Sequence, residues 1–116
     1  MTFYYLDASC WVKRYLREPG SAWVRQLFAR DSALSCSGLG LIEVAATLAR
    51  KHKAGTVHAV ELAENTRRLR NDWRRFYQVE LRDMVIETAL GLAIDSCLRG
   101  ADAVHLASAL ILRNRL

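Results

Sequence analysis

The chain has 116 residues, 52% hydrophobic and 25% charged, with 17 Lys and Arg against 12 Asp and Glu for a formal net charge of +5. That composition excludes a disordered chain and is enough for one domain, residues 1–116, with a real core. The basic balance favours an anionic partner, and nucleic acid is the commonest one for a small basic domain.

The chain opens on Phe3-Tyr4-Tyr5-Leu6, four apolar residues followed by Asp7. Such a run reads as a strand buried on both faces in the middle of a parallel sheet, with Asp7 at its carboxyl end. Open α/β sheets place their ligands there, and a buried acid there needs a cation. Ser9 is the expected N-cap of a short helix from Cys10 to Leu16. Glu18-Pro19-Gly20-Ser21 marks a turn, with Ser21 capping a helix from Ala22 to Arg30 whose apolar stripe is Trp23, Leu27 and Phe28. Asp31-Ser32 ends that helix, and Ala33 to Ser37 reads as a short strand. Gly38 and Gly40 lead into a helix from Leu41 to Lys53, closed by Gly55.

A long helix follows from Val57 to Phe76, sparse in apolar positions and crowded with Arg67, Arg68, Arg70, Arg74 and Arg75. Gln78 to Leu81 is a candidate edge strand; Asp83 caps a helix from Met84 to Leu98, and a last helix runs from Ala101 to about Leu112. Strands alternating with helices imply right-handed βαβ units and a parallel sheet covered on both sides. Cys10, Cys36 and Cys97 match no zinc or disulfide spacing and are expected to be reduced core residues of a cytoplasmic protein. No run approaches the roughly 18 apolar residues of a membrane span, and no signal peptide is expected before Phe3.

Three acids stand at matching points of this layout. Glu43 lies among Leu41, Ile42, Val44 and Ala45 at the head of its helix; the plainer reading is a solvated glutamate sharing a polar edge with Thr47 and Arg50. Asp102 sits on an almost wholly apolar segment, where an acid is either an N-cap or a ligand. His105, one turn on, reads as a core histidine with a satisfied ring nitrogen. Three carboxylates at one sheet edge repel one another unless a cation lies between them. Hard oxygen ligands without Cys or paired His select Mg²⁺ or Mn²⁺, and such an ion can orient water for attack on a phosphodiester. The arginine-rich helix then either holds a phosphate backbone or is a solvated face.

The motifs Tyr5-Leu6-Asp7-Ala8-Ser9, Glu43-Val44 and Ala101-Asp102-Ala103-Val104-His105-Leu106-Ala107 together resemble the PIN-domain family, most closely the VapC-type toxins of type II toxin–antitoxin systems. The resemblance implies an α/β, three-layer PIN-like fold: a short parallel sheet flanked by helices, here without the usual C-terminal strands. It also implies a Mg²⁺- or Mn²⁺-dependent endoribonuclease acting on RNA, typically tRNA or rRNA. Homodimers, silencing by a cognate antitoxin, and operator DNA bound only through that antitoxin are implied as well. Carried over by position, Asp7, Glu43 and Asp102 would be the catalytic metal ligands, and Ser9 would line the same pocket.

The departure is at the end. No residue here matches the fourth acid that family members carry on a strand beyond the last helix, and the chain stops at Arg113-Asn114-Arg115-Leu116. The first strand, internal in the family's order, would then gain a free edge, which folded proteins avoid leaving apolar. Dimerisation, strand exchange, a rearranged terminus or a truncated gene product is expected to account for it. The missing acid also leaves open a catalytically impaired RNA- or protein-binding module.

Overall fold

The computed structural model describes residues 2–30 and 32–116. Asp31, expected to help end the second helix, lies outside them. In chain order the elements are β1 (Phe3–Tyr5), α1 (Ala8–Trp11) continued by a 3₁₀ turn (Val12–Arg14), α2 (Ser21–Ala29), β2 (Ala33–Ser37), α3 (Gly38–Lys53), α4 (Ala59–Arg75), β3 (Tyr77–Val79), α5 (Asp83–Ser96) and α6 (Gly100–Arg115). The sheet is parallel in the order β1-β2-β3, with Phe3 opposite Ala33, Tyr5 opposite Ser35, and Ser37 opposite Val79.

All five residues of β2 are buried. Their alternation sends Leu34 and Cys36 into one core, with Leu6, Trp11, Leu27, Val44, Leu48 and Leu69. The opposite face of β2 carries only Ala33, Ser35 and Ser37. Small side chains let a helix approach closely, and α6 packs there, bringing Ala103, Ala107 and Ile111 into a second core with Val79, Val85 and Ala89. Tyr5 packs against both α6 and the first core.

The expectation that the first strand is central is corrected: β1 is an edge and β2 is the centre. Phe3 is 41% exposed, and the outer side of β1 takes no strand among the described residues. The apolar run arises because flanking aromatics cover it in part. Tyr4 meets Trp23 edge-on, and Tyr5 meets His105 the same way. Among the described residues α6 is helical through Arg115 and adds no strand to this edge.

Helix ends moved for capping reasons. Asp7, not Ser9, caps α1, because its carboxylate reaches the Cys10 N–H. Ser37 closes β2 and caps α3 through the Leu39 N–H, so α3 begins three residues before Leu41 and Glu43 falls in its second turn. Arg99 occupies the N-cap of α6, so Asp102 is no cap; it lies in the first turn, at the positive end of the helix dipole. Gly20 rather than Ser21 is the N-cap of α2, the Ser21 hydroxyl donating instead to the Leu16 carbonyl. On α2, Val24 and Leu27 point inward while Trp23 is exposed. In α4 the exposed Val60 belongs to no core; Asn65, Leu69 and Asp72 face inward. Of the three free cysteines only Cys36 is buried; Cys97 is exposed at the left-handed end of α5. No helix among the described residues is long and apolar enough to cross a membrane.

Candidate active site

Asp7 leaves β1 at the carboxyl end of the sheet, exposed to solvent. Its Oδ1 accepts from the Cys10 N–H at 2.9 Å and from the Ser9 hydroxyl at 2.9 Å. These two bonds fix the carboxylate's direction. The neighbouring Cys10 thiol is pushed up by burial and by the Asp7 charge, and so stays protonated at neutral pH.

Asp7 shares an open cleft of about 550 Å³ with Asp102 and His105, walled by Tyr5, Leu98 and Leu106. Glu43 and Ser9 line a neighbouring cleft of about 560 Å³, together with Lys13 and Arg50. The two clefts adjoin through Asp7 and Ser9, which are bonded to each other. They also adjoin through His105, whose Nε2 lies 2.6 Å from Glu43 Oε1. The four residues singled out in the sequence thus lie around adjoining clefts. Among the described residues, however, no three His, Cys, Asp or Glu side chains stand close enough together to hold a metal ion as they are placed.

By type the donor set fits a hard divalent cation. Among the described residues no lysine or arginine forms an ion pair with Asp7, Glu43 or Asp102; the one partner of the three is His105, on Glu43. The polar edge foreseen for Glu43 runs through its backbone: Thr47 donates to the Glu43 carbonyl, and Arg50 donates to Thr47.

Sequence reasoning missed the hydrogen-bonded chain behind Glu43. His105 is buried, as expected of a core histidine, with both nitrogens engaged: Nε2 by Glu43 and Nδ1 by the Tyr5 hydroxyl at 2.7 Å. The Ser37 N–H donates to the same hydroxyl at 3.1 Å. Burial raises the pKa of Tyr5 above its ordinary value, which keeps the phenol neutral. Gly40 was read only as a helix lead-in, yet a Cβ there would stand 2.2 Å from Cys36 Sγ and 3.1 Å from His105 Cε1. Only glycine lets α3 come this close to β2 and α6.

The arginines of α4 lie elsewhere. Arg75 lines a depression with Arg14, Arg30, Ser32 and Leu34. That is the amino end of β2, opposite the end where Asp7 emerges. Lys13 and Arg50 are the cations beside the acids.

This arrangement, a three-stranded parallel sheet flanked by helices, is an α/β domain of the PIN kind. The PIN domain family model matches residues 4–114. Ribonuclease VapC45 and Ribonuclease VapC49, from two strains of Mycobacterium tuberculosis, are each 40% identical to the chain over 110 residues, covering 95% of it and 76% of the relative. The chain belongs to the PIN-domain family, in its VapC-type branch. A solved toxin–antitoxin complex from Klebsiella pneumoniae shares the fold, with a TM-score of 0.61 at 16% identity over 97% of this chain and 81% of that one.

Proposed function

We propose that this chain is a Mg²⁺- or Mn²⁺-dependent endoribonuclease, the toxin component of a type II toxin–antitoxin pair working in the cytoplasm. The observation that carries the reading is that, among the described residues, the acids at the sheet's carboxyl end form no ion pair with a lysine or arginine. Asp7 and Asp102 face one cleft, and Glu43 is held beside them through His105. Asp7, Glu43 and Asp102 are the residues that would hold the ion. When bound, such an ion supplies charge neutralisation and an acidified water for phosphodiester hydrolysis.

The chain's own residues do the rest. Lys13 and Arg50 supply positive charge for the sugar–phosphate backbone along the second cleft. The Ser9 hydroxyl holds Asp7 and lines that same cleft. The relatives named as ribonucleases support RNA as the substrate, with tRNA or rRNA the class proposed. The toxin–antitoxin neighbour fits an antitoxin partner. A second copy of this chain is the other proposed partner, and operator DNA is reached only through the antitoxin.

Asparagine caps a helix as well as aspartate does, so Asp7→Asn keeps the α1 cap while removing the charge. In an RNA-cleavage assay with Mn²⁺ the variant is expected to lose about a hundredfold or more in rate, about 2.7 kcal/mol, and excess chelator is expected to abolish wild-type cleavage. Cleavage surviving either change would refute the site. A second reading, a PIN domain that binds RNA or protein without turnover, draws on the separation of the three acids in the structure. Metal-independent RNA binding with no cleavage would favour it.

A further inference from the structure

His105 has no free nitrogen for a metal, because both are spent inside the protein. Its use must therefore pass through its neighbours. A carboxylate can only accept, so the bond to Glu43 places a proton on Nε2; Nδ1 meets the Tyr5 hydroxyl at 2.7 Å on the other side of the ring. The Tyr5 oxygen is in turn fixed by the Ser37 N–H, at the last residue of the central strand. The chain Ser37 N–H, Tyr5, His105, Glu43 is thus continuous and anchored in the sheet backbone. It ends on one oxygen of a glutamate whose side chain is still 34% exposed.

A glutamate on a helix surface otherwise samples several rotamers at little cost. Gly40 keeps the contact close, since a Cβ there would crowd Cys36 Sγ at 2.2 Å and His105 Cε1 at 3.1 Å. From this we infer that His105 is a positioning residue: it holds Glu43 Oε1 and thereby leaves Oε2 free at the cleft that Glu43 lines beside Ser9, which adjoins the one lined by Asp7 and Asp102. Oε2 takes no hydrogen bond among the described residues. The inference rests on the reading of Glu43 as a metal ligand and adds what aims it. Outer partners that orient a ligating carboxylate affect metal affinity by ~10–100-fold.

Two conservative variants separate positioning from packing. The Gln side chain can place a donor where Nε2 stands, whereas Asn reaches only to the Nδ1 position. Mn²⁺ binding by the whole chain is measured by calorimetry, with urea unfolding in parallel. His105→Gln is expected to stay within about threefold of wild-type affinity, and His105→Asn to lose about 10–100-fold at a stability equal to that of His105→Gln. Glu43→Gln is the reference for the underlying reading. If it binds Mn²⁺ like wild type, Glu43 is no ligand and the function reading fails with it. If Glu43→Gln weakens binding while His105→Asn does not, the positioning role alone is overturned. Equal losses in the Asn and Gln variants would also overturn it, because the donor at Nε2 would then be irrelevant.

Discussion

Two groups of acids in this molecule are treated in opposite ways. Asp72, on α4, is buried and fully satisfied: Arg14 approaches it through Nε at 2.5 Å and through its terminal nitrogen at 3.1 Å, and the Tyr15 hydroxyl donates at 2.7 Å. Arg14 is held further by lying 4.2 Å over the Phe28 ring. At the carboxyl end of the sheet Asp7 and Asp102 are exposed, and among the described residues neither meets a lysine or arginine. Glu43 meets a histidine alone. The first group is closed upon itself and serves the fold. The second is left open, its hydrogen bonds fixing direction without cancelling charge, which is the state a site for an external cation requires.

The comparison can be broken at either end. Asp72→Ala removes the partner of the part-buried Arg14 guanidinium and the acceptor of the buried Tyr15 hydroxyl, so it should destabilise the chain by about 3 kcal/mol, read by urea unfolding. A loss under 1 kcal/mol would show that the closed network is not structural. Asp102→Asn is the opposite case: in the first turn of α6 and exposed, it should cost only about 0.5 kcal/mol in stability through the helix dipole. Its Mn²⁺ affinity should nevertheless fall by about tenfold or more, as for other groups that hold or orient a metal.

Tyr5→Phe tests the join between the two regimes, since it deprives His105 Nδ1 and the Ser37 N–H of a partner. A stability loss of about 2 kcal/mol is expected, with a smaller fall in Mn²⁺ affinity than in His105→Asn. A further effect appears only at alkaline pH. Burial pushes the Cys36 thiol from 9.0 up to about 12, so the folded chain retains a proton that the unfolded chain gives up. Its contribution to stability is complete below pH 9 and is lost as pH rises toward 12. Cys36→Ala should flatten that part of the stability–pH curve.

Much of this was legible in the sequence, for reasons that particular residues make plain. Ala33–Ser37 was bounded on both sides by turn formers and by the helix that follows, and β2 has those limits. The C-terminal end of α3 was marked by Gly55, which takes a φ of 82°. The edge strand before α5 was found as well, shifted by one residue at its start and two at its end.

What failed were choices the local sequence leaves degenerate. Asp7 and Ser9 are both good caps, and only the backbone turn after Leu6 decides between them. Four apolar residues look alike in a central strand and in an edge strand roofed by Trp23 and His105. The chain behind Glu43 had no signal in spacing, since its links join residues 62 and 100 positions apart. The hydroxyl of Tyr5 was hidden by reading the residue as apolar.

The most direct test is anomalous diffraction from crystals of the wild-type chain soaked in MnCl₂. The account predicts a manganese peak in the cleft between Asp7 and Asp102, with Glu43 turned to it and still bonded to His105. A soaked crystal with no peak there, or with manganese bound only at surface sites away from these three acids, would contradict it.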